Sequence, residues 1–317
     1  MGNIVKPYNE HYMNCYLNNL FSICYSIEEN CKKLSYFNDY NIYIAKENNF
    51  KYLLFDYGES FYKTIYQTAI GSKCENKFNI ITAPLGDKIT LRSSKIEEII
   101  ELLSNGMIVF ILVDLFYFNN GNIFYQKMHR EHFIMLVEWR PFQNCFISID
   151  EGRNGYGYYE IKYAEIIHLL KDEVLAYYLN ITGMQITKHI QINVENIVFN
   201  SNRICRQINE IKESFGELNI PQNYSELCHL IIFIQRYYNR QISNGFLIHE
   251  FLHKNYFENN NLIILHNELK SNWYHIRAVV LRNIMRGISI NYEYCFSNIL
   301  ENLKKETDFW SAFKKNI

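Results

Sequence analysis

An α+β domain followed by an all-helical domain is the architecture this sequence predicts, and three observations predict it. Apolar runs of strand length punctuate residues 1–186 between a few helical stripes. From about Ile190 onward helical periodicity takes over and strand signals almost vanish. The chain has 317 residues, of which 48% are hydrophobic and 21% charged, which suffices for two ordinary domains with their own cores. The boundary is therefore placed near residue 186, giving domains 1–186 and 187–317.

The elements follow in order. Asn14 is a good N-cap, and Cys15 then opens a helix whose Leu17, Leu20, Phe21, Cys24 and Ile27 form one apolar stripe. Lys51–Asp56 and Phe78–Thr82 read as short strands. Ser93 or Ser94 caps a helix at Lys95–Ser104, with Gly106 just past its end. Met107–Val113 is a buried strand. Phe133–Trp139, Cys145–Asp150 and Tyr158–Ile161 are further strands, joined by turns at Arg140–Asn144 and Glu151–Gly157. A short helix is predicted at Ala164–Leu170 and a closing strand at Leu175–Ile181. The second domain reads as helices over Ile204–Phe215, Ser225–Arg240, Asn261–Arg286 and Ile288–Leu303.

Charge narrows the classes of partner. The formal net charge is -1, so there is no basic surplus for nucleic acid or an anionic membrane. The longest apolar run, Met107 to Phe118, is interrupted by Asp114 and falls short of a membrane span. The start, Met1 to Tyr8, lacks the apolar core of an export signal. Gly2 resembles a myristoylation start, but Lys6 stands where Ser or Thr is usual. A cytoplasmic protein is expected. Eight cysteines without a CxxC pair predict no disulfide framework, and most should be buried small hydrophobes. There is no GxGxxG or P-loop, and no cofactor is expected.

Three residues carry a candidate chemistry. Cys15 begins a helix, where the dipole and free amides favour the thiolate, the reactive form of cysteine. His132 opens the strand His-Phe-Ile-Met-Leu-Val-Glu-Trp, and Asp150 ends the next one, Cys-Phe-Ile-Ser-Ile-Asp. An antiparallel hairpin brings the start of the first strand beside the end of the second. Imidazole and carboxylate then meet, the first to take the thiol proton and the second to orient it. Each residue also has a plain structural reading: a helix-opening cysteine, a strand-edge histidine and an aspartate before a turn.

The segments Val113–Phe118, Met128–Ile134 and Ile147–Asp150, with the Asn14-Cys15 helix start, resemble the butirosin biosynthesis protein H N-terminal-like family. The likeness covers roughly residues 8 to 182. That family is similar to the bacteriocin-processing cysteine peptidases and has a papain-like fold with an antiparallel sheet. The resemblance implies Cys15 as nucleophile, His132 as general base and acid, and Asp150 as its partner. It also implies transfer of an acyl group from a carrier-protein thioester to a small-molecule amine in specialised-metabolite biosynthesis. An acyl or peptidyl carrier protein would then be a partner. Papain-like enzymes place a Gln a few residues before the cysteine to hold the oxyanion; this chain has Asn9 there, which is assigned that role beside the Cys15 amide. Asp114 and His129 are candidate substrate contacts, although for Asp114 structural hydrogen bonding is the preferred reading.

Three alternatives stand beside this reading. The same residues serve a peptidase or amidase if water is the acceptor. The segment His249-Glu250-Phe251-Leu252-His253 matches the HExxH pattern of zinc hydrolases, with Glu258 or Glu268 as third ligand, but Lys254 follows it and no strand-rich subdomain precedes it. A non-catalytic scaffold that keeps the fold is the last.

Overall fold

Alternating apolar and polar residues, broken by Gly and Asn turns, set up the sheets. The computed structural model describes residues 5–10, 12–36, 38–57, 87–91, 96–119, 121–152, 155–170, 174–180, 193–255 and 260–315. Among them the protein is α+β, with antiparallel sheets and seven α-helices. The chain forms two compact units, one of Met1–Lys32 with Tyr62–Ile190 and one of Lys33–Phe61 with Gln191–Ile317.

The first unit holds a six-stranded sheet of β3 (Asp87–Leu91), β4 (Met107–Asp114), β5 (Glu131–Arg140), β6 (Cys145–Gly152), β7 (Gly155–Lys162) and β8 (Val174–Asn180). Their order is β3-β8-β4-β5-β6-β7, and every neighbouring pair is antiparallel. Helices α2 (Ile96–Ser104) and α3 (Tyr163–Leu169) close over this sheet. Ile96, Ile99 and Leu103 of α2 and Ile166 of α3 pack on Val109, Ile111, Val113, Ile134, Leu136 and Phe146. Burial of such side chains, roughly 1.5–3 kcal/mol each, is what holds helix to sheet. Gly106 follows α2 at φ 76°, a left-handed turn that glycine adopts without Cβ strain and that feeds β4.

Helix α1 (Cys15–Ile27) lies against β5 and β6. Its Leu17, Leu20, Phe21, Ile23 and Cys24 are all buried, as the apolar stripe predicts. Between β5 and β6 the chain makes a 3-10 turn at Pro141–Gln143, closed by Asn144 in the left-handed region at φ 48°. A bulge interrupts the β5–β6 ladder, since Leu136 pairs with Ser148 and Glu138 with Ile147, leaving Val137 unpaired. The bulge resets the alternation, so Leu136 and Trp139 both pack against the core, Trp139 with its ring 4.6 Å from that of Phe146.

The second unit is not all-helical. Besides α4 (Val194–Ser214), α5 (Tyr224–Asn255), α6 (Asn260–Arg286) and α7 (Tyr292–Lys314), it contains the hairpin β1 (Tyr40–Glu47) and β2 (Phe50–Tyr57). Asn48 and Asn49 turn that hairpin at φ 47° and 69°, the backbone a two-residue loop with positive φ at both positions requires. Residues 33–61 thus lie with the helices, where the sequence placed them with the sheet. A buried carboxylate centres this unit: Glu306 accepts hydrogen bonds from Tyr40, Trp310 and Gln241 at 2.9, 2.8 and 2.6 Å. Burial nevertheless pushes its carboxyl up to about 7.

Several expectations fall elsewhere. Phe78–Thr82 lies outside the described residues. Strand β3 was not predicted; β8 forms where the closing strand is expected and sits between β3 and β4. Among the described residues no helix is long and apolar enough to cross a membrane.

Candidate active site

Local sequence fixes where α1 begins. The Asn14 side chain accepts from the Leu17 amide at 2.8 Å and its carbonyl accepts from Asn18 at 2.9 Å, so Cys15 is the first helical residue. The chain before it is strapped onto the same helix. Met13 N donates to Asn18 Oδ1 at 2.7 Å, Asn18 Nδ2 donates to the Tyr8 carbonyl at 3.2 Å, and Tyr8 N donates to Ser22 Oγ at 2.9 Å. A half-buried thiol is thereby held at a helix tip, within reach of solvent.

His132 and Asp150 meet as the hairpin geometry requires. In the register Met135↔Ile149, one further step sets Asp150 opposite Ile134, and His132 is its diagonal neighbour on the same face. His132 Nε2 lies 2.6 Å from Asp150 Oδ1, and the two side chains are only 9% and 3% exposed. Asp150 Oδ1 also accepts from the Glu151 amide at 2.7 Å. With Nε2 committed to the carboxylate, Nδ1 is the nitrogen left for sulfur, and the charges of His132 and Cys15 act on each other. The structure therefore brings Cys15, His132 and Asp150 together.

The electrostatics are those of an ion pair. Burial pushes the Cys15 thiol up, but the His132 charge and hydrogen bonds from His132 and the Phe133 amide outweigh it, leaving the thiol below its ordinary value. Burial alone pulls the imidazole down; the charges of Asp150 and Cys15 overturn this and hold His132 well above the usual histidine range. Thiolate and imidazolium are mutually stabilised, an arrangement suited to nucleophilic attack followed by protonation of a leaving group. The backbone N–H of Cys15, in the first turn of α1, has no intrahelical acceptor and is available to an oxyanion.

Other candidates lie in different surroundings. Asn9 is exposed and no hydrogen bond ties it to the trio among the described residues. Asp114 and His129 form a second pair, His129 Nδ1 lying 2.6 Å from Asp114 Oδ2, but these side chains are 32% and 66% exposed. Asp114 also accepts from the amides of Phe116 and Arg130 at 2.9 and 3.1 Å, which fixes the chain leaving β4 and the chain entering β5. Burial pushes its carboxyl up, but the His129 contact and those two amide bonds together hold it below the usual carboxylate range. The imidazole of His129 stacks on Phe116 with ring centroids 4.4 Å apart.

The HExxH segment lies on α5. His249 is exposed, Glu250 accepts from Lys33 Nζ at 3.0 Å, and exposed Glu268 lies 2.5 Å from Lys305 Nζ. Glu258 and the His253 side chain lie outside the described residues, among which no group of three His, Cys, Asp or Glu is placed to hold a metal ion. The seven described cysteines are free.

Two neighbours of the trio escaped the sequence reading. Asn19, buried one turn after Cys15 on α1, donates to the Phe133 carbonyl at 3.3 Å and accepts from the Tyr156 hydroxyl at 2.7 Å, tying α1 to β5 and β7. Its i+4 spacing from Cys15 was the available signal. Tyr12, three residues before Cys15, places its ring 6.0 Å from that of Tyr156. A cavity of about 740 Å³ opens elsewhere in the unit, along Met107, Val137, Trp139, Ile147 and Tyr158, and shares no lining residue with the trio.

Comparison with protein-family models and with curated proteins yields no match.

Proposed function

We propose that this chain is a thiol-dependent acyltransferase of papain-like fold. One observation carries the reading: a helix-tip thiol held below its ordinary pKa against an imidazole whose far nitrogen lies 2.6 Å from a buried carboxylate. In the proposed reaction the Cys15 thiolate attacks the carbonyl carbon of a carrier-protein thioester. The tetrahedral oxyanion collapses, the carrier thiolate leaves, and His132 gives it the proton. A small-molecule amine then attacks the acyl-enzyme, His132 takes the amine's proton, and Cys15 departs as thiolate, so that an amide is released. Asp150 keeps the imidazole oriented and its cation stable throughout. The cellular setting proposed is a cytoplasmic route to a specialised metabolite of peptide or aminoglycoside type. Transfer to water by the same groups would make the protein a peptidase or amidase.

Intact mass spectrometry after mixing the protein with an acyl thioester separates these outcomes. Wild type should gain one acyl group, and Cys15→Ala none. Added primary amine should discharge the acyl-enzyme into an amide. Release of free acid alone, with amine present, would convert the assignment to hydrolase; no adduct from thioesters or peptides would sink it.

A further inference from the structure

The sequence suggested Asn9 for the oxyanion, yet the structure leaves Asn9 exposed and untied to the site. A different donor stands three residues before the sulfur. Tyr12 precedes Cys15 by three residues in the segment that Met13–Asn18 and Asn18–Tyr8 bonds clamp over the start of α1. Its ring leans on Tyr156, which is fixed by a 2.7 Å bond to Asn19 and lies 3.2 Å from Ser22 Oγ. Tyr156 pairs with Glu151 across β6 and β7, and Gly157 pairs with Asp150, so Tyr12 is seated over the strand ends that carry the carboxylate. Among the described residues its hydroxyl makes no hydrogen bond, although the side chain is only partly accessible. A phenol hydroxyl with no protein acceptor, on a partly accessible side chain three residues before the nucleophile, can donate to a substrate.

Resting on the acyl-transfer reading above, we propose that Tyr12 is a catalytic residue that donates its hydroxyl hydrogen to the oxyanion formed when Cys15 attacks an acyl carbonyl, with the Cys15 backbone N–H as second donor. As sulfur bonds to the carbonyl carbon, the C=O π pair moves to oxygen, and that oxygen is the acceptor. When the leaving thiolate departs, the pair returns and Tyr12 keeps its proton. The surroundings suit a donor that must not ionise: burial, then the negative charges of Glu151, Cys15 and Asp150, push the Tyr12 hydroxyl well above the usual tyrosine range. The neutral phenol is thereby favoured beside these charges.

Two classes of Cys15 reagent test this on the full chain. Iodoacetamide alkylates sulfur without forming an oxyanion, whereas an N-acetylcysteamine thioester acylates through one and a simple aldehyde forms a hemithioacetal that resembles it. Tyr12→Phe should slow acylation by about 10²- to 10³-fold, the usual loss for one oxyanion donor, and weaken aldehyde binding in proportion. Its iodoacetamide rate and the pH midpoint of that rate should stay within about twofold of wild type, a change of no more than ~0.4 kcal/mol. Equal slowing of all three reagents would make Tyr12 a packing residue and overturn the proposal, as would unchanged acylation. A wild-type protein that binds aldehyde but ignores thioesters would remove the acyltransferase reading, and Tyr12→Phe would then be judged by aldehyde affinity alone.

Discussion

Two histidine–aspartate pairs stand three residues apart on β5 and its approach, and both close to 2.6 Å. His132 with Asp150 is buried; His129 with Asp114 lies mostly in water. Identical partners at identical separation thus have different chemical weight. In the buried pair low dielectric strengthens the attraction, and the Cys15 charge acts on the same ring. In the exposed pair solvent screens the attraction, the carboxylate is shared with two backbone amides, and the ring stacks on Phe116. Position relative to solvent and to a third group, rather than the pair itself, separates a catalytic arrangement from a structural one.

That contrast can be broken most forcefully at the carboxylates. Asp150→Asn leaves the imidazole without its carboxylate partner and is expected to lower the acylation rate by about 10³- to 10⁴-fold. Asp114→Asn should leave it within about twofold, because nothing in the acylation step touches that carboxyl. Comparable losses in the two variants, measured with one thioester, would show that burial is not the deciding difference.

The pH dependence sharpens the same point. With the thiol lowered and the imidazole raised, the ion pair exists over a window that begins below the ordinary thiol range and extends above the ordinary histidine range. Acyl transfer should rise with pH through the lowered thiol value and fall as His132 loses its proton. Replacing Asp150 by Asn removes the largest influence holding His132 up, so the descending limb should move to lower pH. Asp114→Asn should move neither limb. A pH–rate series on the three proteins reads this directly, and a descending limb indifferent to Asp150 would contradict the assigned partner.

The smallest effect is expected at His129. Its removal as His129→Ala should change the melting free energy by less than about 1 kcal/mol and leave kcat in place. A KM that rises several-fold in this variant, with kcat unchanged, would give the exposed pair a substrate after all.

Much of the site was legible because it depends on short-range rules. Asn14 as cap placed Cys15, and two strands with one short turn placed His132 beside Asp150. What stayed hidden is of longer range. The hairpin β1–β2 escaped half-read because the Asn48-Asn49 turn was not recognised, and no local pattern says that residues 33–61 lie with the distant helices. Strict alternation also fails at Val137, where a bulge swaps the faces. The sequence points to Asn9 as oxyanion donor at the usual upstream distance; the strapping by Asn18 and Ser22 leaves Asn9 exposed and seats Tyr12 against Tyr156.

The bulge at Val137 has an evolutionary corollary. Because the strands are matched both before it, at Leu136 and Ser148, and after it, at Glu138 and Ile147, this residue absorbs a mismatch in length between them. Losing it would leave His132 and Asp150 at the same spacing, whereas losing one residue of β6 between Ser148 and Asp150 would slide the carboxylate to the opposite face. Length variation in descendants of this chain is thus tolerable at one position of the hairpin and ruinous two strand-steps away.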